Sequence, residues 1–235
     1  MRLLLLSNST IPGFGYLEYA LDFITDYFGK DVKKIAFVPY AGVTVDWDTY
    51  EKKVQSVFSQ LGYDVFSLHH EKDPVAGLEK ADAVAVGGGN TFKLVNDLHT
   101  TGLMKAIREK VLNGMPYSGW SAGSNVACPG LFTTNDMPII QPPSFDCMKL
   151  LPFQINPHYL DKNPDGHGGE TREDRINEFL EINRDKTVVG LREGTLLRVE
   201  GRKIILQGDR KMRIFKYAQE AMEVDNTADL SFLLD

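Results

Sequence analysis

A serine flanked by two glycines stands at Gly119-Trp120-Ser121-Ala122-Gly123, directly after a stretch with the pattern of a strand. Residues 115–118 predict the strand, and residues 122–127 predict a short helix after it. A serine in a strand–turn–helix of the form Gly-x-Ser-x-Gly is typical of a nucleophile elbow, a strained turn that exposes the hydroxyl. The pattern therefore predicts Ser121 as the nucleophile of an acyl-transfer reaction, although an ordinary strand-to-helix turn would also fit these five residues.

Ser121 needs a base to take its proton at neutral pH, and histidine is the usual one. His158 follows residues 153–157, where a buried strand and a stiff Asn-Pro step would hold the ring at the sheet edge. We therefore predict His158 as the base, with a buried structural histidine as the alternative. Three of the remaining histidines, His69, His70 and His99, are expected to be solvated. The fourth, His167, is expected to lie in a flexible segment.

The third member of such a site is a carboxylate that accepts the other imidazole N–H. Asp136 lies in a polar loop after the elbow helix, and Glu193 follows the predicted strand at residues 188–191. The carboxyl ends of parallel strands face the ligand crevice in a doubly wound sheet, which favours Glu193. Asp136 then shapes the loop, but a turn or helix-capping role fits either residue and the choice between them stays open.

A glycine-rich loop, Gly87-Gly88-Gly89-Asn90-Thr91, follows the predicted strand at residues 83–86 and opens a helix. Consecutive glycines let backbone N–H groups approach a ligand closely. The loop lacks the Gly-Lys-Ser/Thr ending and the Gly-x-Gly-x-x-Gly spacing of phosphate-binding loops. We predict an oxyanion hole in which Gly88 or Gly89 donates alongside the N–H of Ala122, each donor being worth roughly 3 kcal/mol in the transition state.

Strand and helix patterns alternate through the first half of the chain. Strands are predicted at residues 3–7, 35–38, 65–68, 83–86 and 115–118, and helices at 16–28, 46–61, 75–80 and 91–113. Apolar strands separated by helices predict an α/β fold with a doubly wound, mostly parallel sheet and helices on both faces.

The pattern changes after Cys128. Residues 129–170 are rich in Pro, Gly, Asn and Asp, and so long a loop region is more often functional than structural. A helix is predicted at 171–182 with a capping box from Thr171 and Asp174. A strand at 188–191, a hairpin of 196–199 and 203–206, and a last edge strand at 213–218 complete one catalytic domain, residues 1–235.

Composition excludes two classes of function. The formal net charge is −6, without a basic run, so nucleic acid is not an expected partner. No apolar run reaches the roughly 18 residues of a membrane-spanning helix, and the apolar start at residues 3–6 is too short for a signal peptide. Cys128 and Cys147 are expected to be packing residues. Two cysteines suit a reducing compartment, so the cytoplasm is the expected location.

Several motifs together resemble the aspartyl dipeptidase (peptidase E) family. The resemblance implies a fold like that of class I glutamine amidotransferases, with serine where those enzymes carry cysteine. It also implies cleavage of dipeptides with an N-terminal aspartate, Asp-Xaa, without metal or cofactor. The roles of nucleophile and base map to Ser121 and His158, and the acidic member to Glu193, with Asp136 also a candidate. The matching segments are residues 3–10, 87–91, 119–125, 133–138, 155–158 and 169–173.

A substrate aspartate needs a cationic partner, because an unpaired buried carboxylate is strongly disfavoured. Arg172 is the first choice, since a guanidinium grips a carboxylate with two hydrogen bonds. The alternative to this binding role is that Arg172 forms a surface ion pair with one of the acidic residues that follow it. Asp136 or Asn135 is expected to accept from the substrate's amino group, and Asn90 is placed with them at the substrate. A small acidic dipeptide is thus the expected ligand of a monomer or weak homodimer.

Two other functions share these features. An α/β-hydrolase esterase has the elbow, but its order is Ser, acid, His. In that class several strands usually lie between Ser and His. Here only 37 positions separate Ser121 from His158 and most of them have the pattern of a loop, which disfavours that class. A non-catalytic sensor could use the glycine-rich loop to bind an anion. The combination of elbow, oxyanion loop and positioned histidine favours the enzyme.

Overall fold

The computed structural model describes residues 1–166 and 168–234. Within them the strands, numbered β1 to β11 in chain order, are Arg2–Leu6, Lys34–Val38, Asp64–Ser67, Ala83–Val86, Tyr117–Trp120, Gln154–Tyr159, Thr187–Arg192, Leu196–Glu200, Lys203–Gln207, Met212–Lys216 and Met222–Val224. The helices, α1 to α7, are Leu21–Phe28, Trp47–Phe58, Pro74–Leu78, Thr91–Thr100, Leu103–Leu112, Ala122–Asn125 and Arg172–Ile182.

The central sheet contains seven strands in the order β3-β2-β4-β5-β1-β8-β9. The first five run parallel to one another. The hairpin of β8 and β9 extends the sheet in antiparallel fashion beside β1. This order confirms the α/β fold class with a mostly parallel sheet and a C-terminal hairpin.

Both faces of the parallel strands are buried. In β1, Leu3 and Leu5 pack with α4 and α5 on one face, and Leu4 and Leu6 pack with α1 and α2 on the other. Successive residues of β2 and β4 likewise pack on opposite faces of the sheet. A strand covered on both faces needs apolar residues throughout, which is why these strands show no alternation of polar and apolar residues. Helices on both faces were predicted, and this is confirmed.

A second sheet, with the order β11-β10-β7-β6, was not predicted as a separate unit. Its β6 and β7 are parallel, and α7 packs on it through Ile176 and Leu180. The prediction of residues 213–218 as an edge strand is wrong, because β10 lies between β7 and β11. Strand β11 has only three residues, two of them exposed, so it shows no pattern that a sequence reading could detect.

Residues 91–113, predicted as one helical stretch, form α4 and α5. The break falls at Gly102, whose φ of 77° lies in the left-handed region that glycine adopts without a steric penalty. The helix predicted at 16–28 is shorter than expected, since α1 begins at Leu21 after a turn of 3₁₀ helix. The capping box of Thr171 and Asp174 is present at the start of α7, as predicted.

The glycines on either side of Ser121 are required by close backbone contacts. A Cβ on Gly123 would lie 2.1 Å from the carbonyl oxygen of Val86, and one on Gly119 would lie 2.4 Å from the carbonyl oxygen of Gly123. Neither backbone oxygen can move without displacing a strand or the elbow itself. The elbow is therefore packed directly against β4.

Gly123→Ala is expected to lower the free energy of unfolding by about 2–3 kcal/mol, because the added methyl group overpacks this contact. Urea denaturation monitored by circular dichroism measures the change. Gly168→Ala is the matched control, since a Cβ there meets nothing within 4 Å and its effect should stay within about 0.5 kcal/mol. Equal unfolding midpoints for the two variants would show that the elbow tolerates a side chain at position 123.

Candidate active site

Ser121 joins β5 to α6 at the carboxyl end of the central sheet. Its φ of 54° and ψ of −113° place a residue with a Cβ in a disfavoured region. Its N–H donates to the carbonyl of Leu6 over 3.1 Å, and its own carbonyl accepts from Ser124 over 2.9 Å. These bonds hold a turn with roughly 1–3 kcal/mol of strain, which is the geometry of a nucleophile elbow.

The imidazole of His158 lies beside this hydroxyl, with 3.0 Å between His158 Nε2 and Ser121 Oγ. His158 belongs to β6, at an irregularity where the register with β7 shifts, and its φ is 53°. Its backbone N–H donates to Ser7 Oγ over 2.9 Å. The hydroxyl of Ser7 in turn donates to the carbonyl of Leu191 over 2.7 Å. Ser7, directly after β1, therefore ties the histidine strand of the second sheet to the central sheet.

Glu193 contacts the other side of the same ring, with 2.7 Å between its Oε1 and His158 Nδ1. Glu193 follows β7 in a turn completed by Gly194, whose φ is 82° and whose N–H donates to Asn8 Oδ1 over 2.9 Å. When Nδ1–H donates to this carboxylate, the lone pair of Nε2 faces Ser121. The three side chains can then act as nucleophile, base and orienting acid.

Asp136 occupies a different position. Its Oδ2 accepts from the N–H of Thr91 over 2.7 Å, from Thr91 Oγ1 over 2.6 Å and from Thr134 Oγ1 over 3.0 Å. Both ring nitrogens of His158 are already engaged by Ser121 and Glu193. Of the two carboxylates left open by the sequence, Glu193 is therefore the one in contact with the histidine. Asp136 is held at the N-terminus of α4, where the helix dipole favours a negative charge.

The glycine-rich loop runs against Ser121. A Cβ on Gly88 would lie 3.0 Å from Ser121 Cβ, and one on Gly89 would lie 2.2 Å from the carbonyl oxygen of Ala41. Gly89 also has a φ of 141°, which is open to glycine but rarely to other residues. Ala122 is the first residue of α6, where an N–H group has no acceptor within the helix. Gly88 and Ala122 thus adjoin the nucleophile, and Gly89 lines the same cavity as Ser121.

A buried tyrosine supports this loop and was not predicted as a site residue. The hydroxyl of Tyr50 donates to the carbonyl of Gly88 over 3.0 Å and accepts from Trp120 Nε1 over 3.0 Å. Trp120 precedes Ser121, so one phenol connects the elbow to the loop. In the sequence Tyr50 is only one apolar position on the face of α2, and nothing there indicates this contact.

The two asparagines predicted to bind substrate have structural partners. Asn90 accepts from the N–H of Lys93 over 3.1 Å, which caps α4, and donates to the carbonyl of Met137 over 2.9 Å. Asn135 donates to the carbonyl of Pro157 over 2.7 Å and accepts from Asn156 over 2.8 Å. Both amides therefore fasten the loop after the elbow helix to its neighbours, and Asn135 also supports the residue before His158.

Arg172 is the first residue of α7 and is half-buried. Burial lowers the pKa of its guanidinium, and the nearby Arg175 lowers it further. Within residues 1–166 and 168–234 it has no hydrogen-bond or ion-pair partner. The acidic residues that follow it are engaged elsewhere, since Glu173 pairs with Arg213 and Asp174 caps the helix. A cation at a helix N-terminus opposes the helix dipole, so this position favours an anionic ligand.

Two adjoining cavities meet at the reactive groups. One of about 640 Å³ is lined by Gly88, Gly89 and Asn90, and by a wall that includes Tyr16, Tyr50 and Lys53. The other, of about 410 Å³, is lined by Thr134, Asn135, Arg172 and Glu193. Ser121, Asp136 and His158 border both.

Four residues that form the site were not predicted from the sequence: Ser7, Asn8, Tyr50 and Lys53. Of these, only Ser7 and Asn8 offered a signal, as a polar pair directly after the first strand.

The other histidines differ in their surroundings. His69 was expected to be solvated, but its side chain is only 9% exposed because it packs against Trp47 and Ser67. His70 is exposed, and His99 contacts the carbonyl oxygen of Asp146. His167 lies outside the described residues. Both cysteines are buried, and burial raises the pKa of the Cys128 thiol to about 12.

A serine at the carboxyl end of the central sheet, in contact with a histidine that in turn contacts a glutamate, is the arrangement of a serine hydrolase. The model of peptidase family S51 matches residues 3–207, and the chain belongs to this family. Peptidase E of Streptomyces coelicolor is 52% identical over 236 residues, covering 100% of this chain and 96% of that protein. Peptidase E of a Nostoc species is 50% identical over 234 residues, covering 100% and 97%.

A solved structure of a peptidase from an acI-B1 actinobacterium superposes with a TM-score of 0.70. Its sequence is 19% identical, and the match covers 98% of this chain and 96% of that one. At this identity the likeness supports the fold alone. The relatives confirm the resemblance to the peptidase E family, and the protein is a serine peptidase. In the part of the chain that the structure describes, no helix has the length and apolarity to cross a membrane.

Proposed function

We propose that the protein hydrolyses dipeptides with an N-terminal aspartate, Asp-Xaa, through an acyl-enzyme on Ser121. The observation that carries this specificity is Arg172, a half-buried guanidinium in the same cavity as the serine and histidine. Among the described residues it has no hydrogen-bond or ion-pair partner, and the nearby Asp136 interacts with it only electrostatically. The high identity to proteins named Peptidase E supports the same conclusion.

The reaction proceeds in two half-reactions. Ser121 Oγ attacks the carbonyl carbon of the aspartyl residue while His158 Nε2 takes the hydroxyl proton, and Glu193 stabilises the imidazolium. His158 then gives this proton to the leaving amine as the peptide C–N bond breaks. A water molecule, deprotonated by His158, attacks the aspartyl ester and releases aspartate, and the proton returns to Ser121. These steps use side chains and water alone, as the family resemblance implies.

The negative charge on the carbonyl oxygen is stabilised by the backbone N–H groups of Ala122 and of Gly88 or Gly89. Donors fixed by a folded backbone need no reorganisation as the charge develops, and each contributes roughly 3 kcal/mol. The contacts of Tyr50 with Gly88 and Trp120 hold these donors in position relative to the nucleophile.

The substrate's charges match the charges of the site. The aspartyl side chain pairs with Arg172, and the α-ammonium group pairs with Asp136, which borders both cavities. The leaving residue occupies the larger cavity, where Lys53 lies over the ring of Tyr16 and provides a cation for the terminal carboxylate. Two such charge contacts at opposite ends favour a dipeptide over a longer chain.

The test is a panel of Asp-Leu, Glu-Leu, Asn-Leu and longer Asp-initiated peptides with wild-type protein and with Arg172→Met. We expect Asp-Leu to be the best substrate, and the variant to lose about 100-fold in kcat/KM for it, mainly through KM, because a half-buried ion pair with the substrate is removed. Asn-Leu, which lacks the charge, should change little.

Arg175→Met is the matched control, because Arg175 lies one helical turn on and pairs with Glu170 at the surface. It should retain wild-type kinetics for the whole panel. An equal loss for Asp-Leu and Asn-Leu in Arg172→Met would assign Arg172 a structural role and would contradict the proposed specificity.

The contact chain of Ser121, His158 and Glu193 favours an enzyme over the alternative of an anion-binding sensor. A fluorophosphonate probe separates the two, since it labels only an activated serine. Activity on p-nitrophenyl esters without activity on Asp-Xaa would instead favour the esterase alternative.

We further infer that residues 1–235 act as one catalytic domain, because the site combines residues of both sheets. The formal net charge of −6 supports a small-molecule substrate rather than nucleic acid. A cytoplasmic location, which the two free cysteines support, and a monomer or weak homodimer belong to the same proposal.

A further inference from the structure

Four side chains with metal-binding groups converge outside the proposed active site. Asp48 and Glu51 project from the first half of α2, and His69 and His70 follow β3. One ligand atom of each lies within 4.8 Å of the others. We propose that these four residues bind a divalent transition-metal ion of the zinc type, although the sequence had predicted no metal site.

The two ring nitrogens of His69 have different neighbours. Its Nδ1 lies 2.5 Å from Ser67 Oγ, and its Nε2 faces Asp48 Oδ1 over 2.8 Å. In the tautomer in which Nδ1–H donates to Ser67, the lone pair of Nε2 is directed at the cluster and can bind an ion. Metal-bound histidines commonly donate their second N–H in this way, which fixes the tautomer.

His70 faces the same carboxylates from a position beside His69. Its Nε2 lies 2.8 Å from Glu51 Oε2 and 3.5 Å from Asp48 Oδ1. The centroids of the His69 and His70 rings are 3.8 Å apart, so both imidazoles border the same small space. One dication in this space could bond to all four side chains.

Hydrogen bonds to one carboxylate oxygen of Glu51 orient the other oxygen toward the cluster. Its Oε1 accepts from the N–H of Ser67 over 2.8 Å and from Gln55 Nε2 over 3.2 Å, which orients the buried carboxylate and leaves Oε2 directed at the cluster. A tetrahedral ion with bonds of about 2.0–2.2 Å places its ligand atoms about 3.4 Å apart. To bind it, the two contacts of 2.8 Å lengthen, and the wider pairs, which reach up to 4.8 Å, shorten.

The ligand set selects the kind of ion. Two imidazole nitrogens and two carboxylate oxygens suit borderline ions such as Zn²⁺, whereas Mg²⁺ and Ca²⁺ prefer oxygen alone. The ion would also stabilise the neighbouring loop that contains Gly42 and Val43. Trp47 packs on the His69 ring and donates to the carbonyl of Gly42, and Gly42 and Val43 line the larger active-site cavity.

The test uses the untagged, chelator-treated full chain and titrates it with Zn²⁺ by calorimetry, and with Co²⁺ by visible absorption. We expect one ion per chain, with the intense bands of four-coordinate Co²⁺. His70→Ala and Asp48→Asn should each weaken binding at least tenfold, since each removes one ligand atom. Both side chains are more than half exposed, at 55% and 63%, so neither substitution threatens folding.

His99→Ala is the matched control, because His99 lies outside the cluster, and it should bind Zn²⁺ like the wild type. Absence of stoichiometric binding, or equal binding by His70→Ala and wild type, would overturn the proposal. The measurement follows binding rather than turnover, so its outcome is independent of the proposed peptidase specificity.

Discussion

Replacing Ser121 with alanine is expected to lower kcat for Asp-Leu by about 10⁴-fold or more. In the proposed mechanism the hydroxyl forms the acyl-enzyme, and it lies 3.0 Å from His158 Nε2. Alanine fits the same elbow, because serine already carries a Cβ at φ 54°. The far-ultraviolet circular dichroism spectrum and the unfolding midpoint should therefore match those of the wild type. Steady-state kinetics with Asp-Leu provide the measurement.

Ser56→Ala provides the control for this experiment. Ser56 is an exposed residue of α2 whose hydroxyl donates to the carbonyl of Lys53 over 2.8 Å, so its loss should leave kcat unchanged. If Ser121→Ala retained wild-type activity, the nucleophile would have to be sought elsewhere, and the mechanism proposed above would fail.

Glu193→Gln is expected to lower kcat by about 10³–10⁴-fold, with a much smaller change in KM. The glutamate accepts from His158 Nδ1 over 2.7 Å, and this bond keeps the lone pair of Nε2 directed at the serine. A glutamine can present its NH₂ group instead, which stabilises the opposite tautomer and leaves an N–H facing Ser121. The imidazolium formed during the attack also loses its counter-ion. Single-turnover kinetics with Asp-Leu separate this effect from binding.

Asp136→Asn is the informative comparison, because the sequence left these two carboxylates as alternatives. Asp136 bonds to Thr91 and Thr134, and we propose that it pairs with the substrate's ammonium group. Its substitution should therefore raise KM and reduce kcat less than Glu193→Gln does. The reverse order of the two effects on kcat would make Asp136 the orienting acid despite the contact of Glu193 with the ring.

The position of Ser7 explains how two sheets can build one site. Its hydroxyl accepts from the backbone of His158 and donates to the carbonyl of Leu191, the residue two before Glu193. A single side chain after β1 thus joins the strand that carries the histidine to the strand that leads to the glutamate. Asn8, which accepts from the N–H of Gly194, fixes the turn that contains the glutamate.

Local patterns in the sequence were sufficient for the elbow, the glycine-rich loop and the class of fold. Each depends on residues a few positions apart: a buried strand is apolar throughout, and a helix begins where capping residues and glycines allow it. The close contacts of Gly88 and Gly123 agree with these patterns, because such positions exclude any larger residue. The sequence by itself therefore determined which serine lies in the elbow and which chain segments form the first five parallel strands.

Only the tertiary structure decided which distant groups meet. The contact of Glu193 with His158 depends on the pairing of β6 with β7, and the two residues are 35 positions apart. The second sheet, the internal position of β10 and the cluster around His69 likewise depend on packing between remote segments. Such contacts form when buried apolar faces and hydrogen-bonding strands find their partners across the whole chain, and no spacing within a short stretch encodes that choice.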